Sequence, residues 1–444
     1  MSAITIEAVQ PLSTEERAVI RKAMWRLLPF LCLIYFIAYL DRVNVGFAAL
    51  TMNEDLALSA TAFGHGAGIF FLAYFLFEVP SNFALKRFGA RVWIARIMVT
   101  WGIISVAMAF VTGTKSFLIL RFLLGVAEAG FFPGMILYLT FWFPSSVRAG
   151  ILGLFIIANP ASTIIGAPLS TTLLGTSLFG LAGWQTMFIV EGLPAVVLGF
   201  VVLFVLCDSP AKAKWLTDRE RQVLEDAIRR DERLNTHTSL RDGLASPQVW
   251  LFSLLYAALM MGVYGFGLWA PQIIKSLGNL SNQEVGMVLV IPYVCATAAM
   301  VLWGRHSDRT GERTWHLALP SLLGAIGFLY GSYAGNFYLA VAGFSLGAVG
   351  IYASLPLFWS LPTAMLGGTA AAGGIALINS IGNLSGYFGP SIIGKLKDAT
   401  QGYTAGLLVI AASLAVASLL GYIAGRTSES ALRHKGAPSQ SGTH

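Results

Sequence analysis

The sequence predicts an all-α membrane protein of twelve transmembrane helices in two pseudo-symmetric six-helix halves, and three observations carry that expectation. Apolar residues make up 56% of the 444-residue chain and charged residues only 11%, against about 25% in an ordinary soluble domain. Twelve continuous apolar runs each approach the roughly 20 residues that a helix needs to cross a bilayer. One polar segment divides them six and six. With 29 basic and 22 acidic residues the chain cannot coat a soluble body of its size, which excludes a soluble enzyme, a nucleic-acid binder and a disordered scaffold. Barrel strands would alternate in polarity over about 10 residues, and these runs do not.

Residues 1–26 are polar, and no cleavable signal peptide is visible: the first apolar run is longer than an h-region and lacks a small-residue cleavage site. Ser13-Thr14-Glu15-Glu16 has the capping pattern that opens an amphipathic helix before the first span. The N-terminal half, 27–207, holds spans near 27–50, 64–84, 92–113, 116–139, 149–173 and 185–207. In the polar segment 208–247, Thr217-Asp218-Arg219-Glu220 starts a surface helix with Leu216, Val223, Leu224 and Ile228 on one face. These two surface helices cover the ends of the bundle or bind a partner, and covering is the simpler reading. The C-terminal half, 248–425, holds spans near 249–274, 282–303, 315–333, 337–360, 372–394 and 403–424, and 426–444 form a tail.

Charge placement sets the orientation. With the N-terminus inside, only Lys115, Lys275, Lys395 and Lys397 fall on the outer side; Arg42 and Arg121 lie within spans, and every other basic residue is cytoplasmic. This bias puts both termini in the cytoplasm and agrees with an even number of spans. It also explains the net charge of +7 without nucleic acid. Cys32, Cys207 and Cys295 lie far apart, without metal-ligand or redox spacing, and read as small core residues. No metalloprotease helix, nucleophile elbow or Walker loop is present, so neither cofactor nor metal is expected and any transport must draw on gradients rather than ATP.

A repeat relates the halves. Arg87-Phe88-Gly89-Ala90-Arg91 follows span 2 and Arg309-Thr310-Gly311-Glu312-Arg313 follows span 8, with the two glycines half the chain apart. Parallel six-helix repeats are one way secondary transporters are built, with the substrate site between the halves near the midplane. Gly304 to Arg313 has the form G-x3-D-R-x-G-x-R and resembles the loop motif of the major facilitator superfamily, while Lys86 stands where the first copy would carry its acid. Tyr39-Leu40-Asp41-Arg42-Val43-Asn44, Glu78-Val79-Pro80-Ser81-Asn82, Arg121 to Ala129 and Ile378 to Asn383 together resemble the anion:cation symporter family, in particular its bacterial tartrate, phthalate, hydroxyphenylacetate and sugar-acid permeases. That resemblance implies a bacterial inner-membrane carrier of a small organic anion, coupled to protons. It also implies a cavity that includes Tyr74, and a gate in which Asp308, Arg309, Arg313, Arg87 and Arg91 take part.

The residues support this independently. A charge at a helix centre costs about 2.5–3.5 kcal/mol on insertion scales, so Asp41, Arg42, Arg121 and Glu128 must face partners or water. Asn44 shares a face with Asp41, and Arg121 and Glu128 are two turns apart. The arginines keep their charge and suit a substrate carboxylate, whereas Asp41 and Glu128 can bind a proton. We expect Arg121 to be held by Asp41 or Glu128 until protonation frees an arginine for the anion; a purely structural ion network is the alternative.

Tyr39, Tyr74, Asn159, Tyr264, Trp359, Asn379 and Asn383 are further candidate substrate contacts. Helix packing accounts for the aromatic residues equally well, as do backbone repair beside Pro160 for Asn159 and interhelical bonding for the span 11 asparagines. Phe358 could join Tyr264 and Trp359 in an aromatic wall. Glu78 is expected in the gate with the loop arginines. Glu191 reads as nearer an end of span 6, His65 and His316 read as incidental, and Gly64, Gly66 and Gly68 read as close-packing sites. The whole describes a monomeric, proton-coupled importer of a hydroxy acid or aromatic acid within the lipid bilayer. An anion exchanger, an uncoupled facilitator and a transporter-like sensor are the alternatives.

Overall fold

A computed structural model describes residues 12–234, 246–365 and 368–436. Among them are fourteen α-helices: α1 (Thr14–Asp55), α2 (Ala60–Phe88), α3 (Ala90–Ala107), α4 (Thr114–Glu128), α5 (Phe131–Trp142), α6 (Ser145–Leu174), α7 (Gly183–Val205), α8 (Asp218–Leu234), α9 (Pro247–Ser276), α10 (Asn282–Thr310), α11 (Thr314–Ser332), α12 (Phe337–Met365), α13 (Gly368–Thr400) and α14 (Thr404–Gly436). Twelve spans result, because α4 and α5 are two pieces of the fourth and α8 lies in the central polar segment.

Local sequence explains the ends. Ser13 caps α1 in a reciprocal box with Glu16, and Ser281 caps α10 with Glu284 in the same way. The two repeat glycines terminate equivalent helices, Gly89 at α2 with φ +88° and Gly311 at α10 with φ +68°; both are conformations that cost an L side chain energy. Span 4 breaks directly after Glu128, at Gly130 (φ +81°), where a Cβ would stand 2.4 Å from Ser81 Oγ on α2.

Three expectations change here. The amphipathic N-terminal segment is not separate from span 1 but its first turns, in one 42-residue helix. Asn159-Pro160 does not interrupt span 5, since α6 runs through both Pro160 and Pro168. Cys295 is exposed on the outside of α10 rather than in the core, and Cys32 and Cys207 are only partly covered.

Packing repeats between the halves. In the first, α3 packs on α7, α2 on α4, and α1 on α6 and α7; in the second, α11 packs on α14, α10 on α12, and α9 on α13 and α14. Contacts between halves are α2 with α13, α6 with α10, and α1 with α9, so α1 and α9 lie at the centre. Helix α8 docks on the first half. Arg219 holds Glu15 at 2.9 Å, Lys22 holds Glu220 at 2.7 Å, Arg230 holds Glu16 at 2.7 Å, and Trp215 stacks on Trp142. We call the side of the bundle bearing these charged segments the basic face.

At the opposite face the halves are shut. A Cβ on Gly46 would meet Leu268 O at 2.7 Å, one on Gly64 Pro390 O at 2.4 Å, and one on Gly394 Ala60 O at 2.3 Å. Asp398, at the end of α13, accepts the Ala60 and Thr61 N–H groups at 3.2 and 2.7 Å and so caps α2 across the interface. The close-packing role expected of Gly64, Gly66 and Gly68 is what these helices use, against Pro390, Phe117 and Tyr387 respectively.

Candidate functional site

Between the halves lies a cavity of about 40 Å³ lined by Tyr35, Tyr39, Arg42, Tyr74, Phe132, Ile156, Asn159, Tyr256, Met260, Tyr264, Leu355, Trp359, Asn379 and Asn383. A pocket of about 10 Å³ adjoins it and shares Tyr39, Arg42, Asn159 and Tyr264. Such volumes hold water, so a ligand of several heavy atoms enters only when the halves part. Helices α1, α2, α5 and α6 supply one wall, and α9, α12 and α13 supply the other.

Eight of the nine residues singled out as substrate contacts meet in this one space; Arg121 does not. Arg42 is the one charged lining residue, and its environment is specific. Its guanidinium lies 5.3–5.5 Å from the ring centres of Tyr39, Phe70 and Tyr74, pairs with Glu128 through Nη2, and leaves Nε without a partner. The aromatic rings add cation–π attraction in a desolvated place. Glu128, 2% exposed, stands behind Arg42 and outside the cavity lining.

The pairing expected of Arg121 is therefore made by Arg42. Arg121 is fully buried, donates to Gly66 O and Ala67 O at 3.2 Å, stacks on Phe70 at 5.0 Å and has no partner for Nη1. The carbonyls it uses lie in the glycine-rich first turns of α2. Asp41 turns the other way from its neighbour Arg42. Because successive side chains on a helix are rotated by about 100°, Arg42 faces the cavity while Asp41 enters the interior of the first half. There it accepts Asn44 Nδ2 at 2.9 Å, Trp101 Nε1 and Ser105 Oγ. Trp101 and Ser105 are i,i+4 on α3, a pair the sequence did not flag because that span carries no charge at its centre.

On the second half, Tyr264 donates to Asn383 Oδ1 at 3.0 Å, and Tyr352 donates to Asn159 Oδ1 at 3.4 Å across the interface. Trp359 lines the cavity, whereas Phe358 is fully buried against Tyr256 and belongs to the core. Tyr35, four residues before Tyr39 on the cavity side of α1, and Tyr256, eight before Tyr264 on α9, were missed; these one- and two-turn tyrosine spacings were the available signal.

The gate residues divide. Glu78 does not join the loop arginines: it is 2% exposed and accepts Asn379 Nδ2 at 3.0 Å and Ser380 Oγ at 3.3 Å, tying α2 to α13. Asp308, in the last turn of α10, pairs with Arg313 just beyond it at 2.7 Å. Arg91 gives its backbone N–H to Asp208 at 3.0 Å, Arg87 lies over Phe88, and neither these side chains nor Arg309 make an ion pair among the described residues. Asp208, paired with Lys212 at 3.2 Å, thus caps the start of α3 and does not pair with a loop arginine among the described residues. His316 bonds Glu312 and His306, each at 2.6 Å.

A two-fold repeated helical bundle whose halves meet around a guanidinium-bearing central cavity, shut at one face, is a membrane transporter. Comparison with known proteins gives the family. Residues 31–390 match the Major Facilitator Superfamily, and the chain belongs to it. It is 54% identical over 420 residues to a "Putative tartrate transporter" of Agrobacterium vitis (94% of this chain, 93% of that one) and 38% identical over 405 residues to the "Inner membrane transport protein RhmT" of Escherichia coli (91% and 94%). These relatives agree with the anion:cation symporter branch that the motifs indicated. Among solved structures, a bacterial homologue of the human lysosomal transporter Spinster, inward-facing and unoccupied, superposes with TM-score 0.74 at 16% identity over 95% of this chain and 99% of that one. The xylose transporter XylE of E. coli gives 0.71 at 15% identity over 89% and 98%.

Proposed function

We propose that this carrier imports a small organic carboxylate together with protons, by alternating access around Arg42. The observation that carries the reading is the buried Arg42–Glu128 pair at the cavity wall. While Glu128 is ionised the two cancel. A proton on Glu128 leaves Arg42 as an uncompensated cation facing the cavity, the state that attracts a carboxylate; either ion alone would leave unpaired charge in low dielectric. Asn159, Asn379, Asn383, Tyr39, Tyr74, Tyr264 and Trp359 would orient the anion, and Arg121, through Phe70 and the α2 backbone, would hold the first half in shape. Relatives named for tartrate and other metabolites support an organic substrate, with hydroxy acids and aromatic acids first among candidates.

In this reading the halves are 27–207 and 248–425, the basic face is cytoplasmic and carries both termini, the membrane is a bacterial inner membrane, and the protein works as a monomer. Glu78 with Asn379 and Ser380 would form the inner latch, with Asp308, Arg309, Arg313, Arg87 and Arg91 acting at the loops. The test is reconstitution: ligands found by thermal-shift screening of carboxylates are added to proteoliposomes. An inward proton current and uphill uptake are expected, and Glu128→Gln and Asp41→Asn should lose accumulation while still inserting and folding. Uptake that needs internal anion would mark an exchanger, and binding without movement a sensor; uphill uptake by both variants would reject the assignment.

A further inference from the structure

Glu191 is a buried acid for which the mechanism above has no use. It sits on α7, 2% exposed, and its Oε1 accepts Ser170 Oγ of α6 at 2.6 Å while Oε2 has no partner. The sequence placed it near an end of its span, but packing brings it to the charged cluster. Gly192, its neighbour, lets α7 approach α3 so closely that a Cβ would lie 3.1 Å from Ser105 Cβ, and Ser105 is a donor to Asp41. The elements around α7 are α1, α3, the turn after α3 and α6. From them Asp41 is the one charged group that reaches Glu191, with Asn44 beside both. No lysine, arginine or histidine among the described residues does so; Arg121 and Glu128 act on Asp41 from α4, and Arg42 pairs with Glu128.

An ionised carboxylate at this place would be buried without a counter-charge, a cost of several kcal/mol per ion. Three donors point at Asp41, whereas Glu191 has Ser170 and a share of the Asn44 amide. Of the two acids, Asp41 is thus the one solvated as an anion and Glu191 the one that holds a proton. Depth adds direction. Counting 1.5 Å per residue from the ends of α6, α7 and α1 at the opposite face, Ser170 lies roughly 6 Å deep, Glu191 roughly 12 Å, Asn44 roughly 16 Å and Asp41 roughly 21 Å. These groups form a polar ladder through the first half, beside the cavity and not lining it.

We propose that Glu191 is a proton-binding residue of this carrier, which shares one proton with Asp41 across Asn44 and reloads from the opposite face. When Glu191 gives its proton to Asp41, one carboxyl gains what the other loses, and the Asn44 amide turns its N–H from Asp41 to the newly ionised Glu191. The pair keeps a single negative charge throughout, so the step avoids two adjacent anions. A proton bound from the opposite face then restores Glu191, and the pair returns to a single shared proton when Asp41 releases the one it received.

The transport part of this proposal rests on the proton-coupled reading above, and two measurements keep the two apart. First, difference infrared spectra of purified protein at neutral pH should contain a protonated-carboxyl band that Glu191→Gln removes; an unchanged band overturns the proposal whatever the carrier transports. Second, proteoliposomes report proton-driven uptake and counterflow exchange of the ligand found by thermal shift. Glu191→Gln should lower proton-driven uptake at least tenfold and leave counterflow within twofold, and Glu191→Asp should keep coupled uptake with a displaced pH profile. If Glu191→Gln retains both activities, the residue is a neutral packing group and the proposal fails. If the unaltered protein itself shows no proton-driven uptake, the coupling reading and the transport part fall together, while the infrared result still decides whether Glu191 holds a proton.

Discussion

Replacing Gly64 with alanine should prevent the opposite face from closing. The Cβ added there meets three backbone atoms of α13, Pro390 O at 2.4 Å, Pro390 C at 3.1 Å and Gly394 Cα at 3.3 Å. Ordinary contact begins at 3.4 Å, so α2 and α13 must move apart by about 1 Å, and no side-chain rotation can absorb the shift. Overpacking of this kind costs about 1–3 kcal/mol, which falls only on conformers with this face shut and so shifts the equilibrium about 5- to 150-fold toward the open one. The assay places a cysteine at Asn383, in a background without Cys32, Cys207 and Cys295, and labels it from the opposite face with a membrane-impermeant thiol reagent. Labelling should rise and uptake should fall in the Gly64→Ala protein. Gly278→Ala, whose Cβ meets nothing within 4 Å, should change neither. Wild-type labelling together with full uptake in Gly64→Ala would refute the claim that this glycine contact shuts the face.

Two other outcomes follow from the same geometry. Arg42→Lys keeps a positive charge but loses the planar fork that can hold Glu128 or a ligand carboxylate in two places; ligand affinity, measured by thermal shift or direct binding, should fall at least tenfold with the protein still folded. Asp398→Ala removes the cap that α13 places on α2, an interaction of about 1 kcal/mol, and should likewise favour the form open at the opposite face. Hydrogen bonding from Thr61 is the chief reason that the Asp398 carboxyl is held below the ordinary carboxylate range. Its contribution is therefore complete above that range and is lost only as pH falls through the lowered value. Uptake by Asp398→Ala should be scaled at every pH between about 5 and 8, with the shape of the profile unchanged; a displaced profile would mean that Asp398 titrates in the cycle.

The number of helices, their ends and the two-fold repeat were legible because each depends on short-range chemistry. Continuous apolar runs must be helical in lipid, and Ser13, Ser281, Gly89 and Gly311 mark ends through hydrogen bonds and backbone angles within a few residues. Most cavity residues were legible too, because polar and aromatic groups in an apolar helix must face something other than lipid. The pairing of charges was not. Arg121 and Glu128 share a span, and spacing on one helix suggested that they belong together, but nothing local reveals that Gly66 and Ala67 offer carbonyls to Arg121 or that Arg42 reaches Glu128 from another helix.

By itself, then, the chain determined that it would cross a membrane twelve times, in two like halves, with Asp41, Arg42, Arg121 and Glu128 held inside at an energetic cost that demands partners. Tertiary structure alone decided who those partners are. Arg42 meets Glu128 beside the cavity, Asp41 meets Trp101 and Ser105 behind it, Glu78 meets Asn379 across the halves, and Glu191 comes to rest near Asp41 with one oxygen unanswered. The reason is physical: the energy of burying a charge is set by its own chemistry, whereas the group that offsets it is set by which helices pack closely enough to touch.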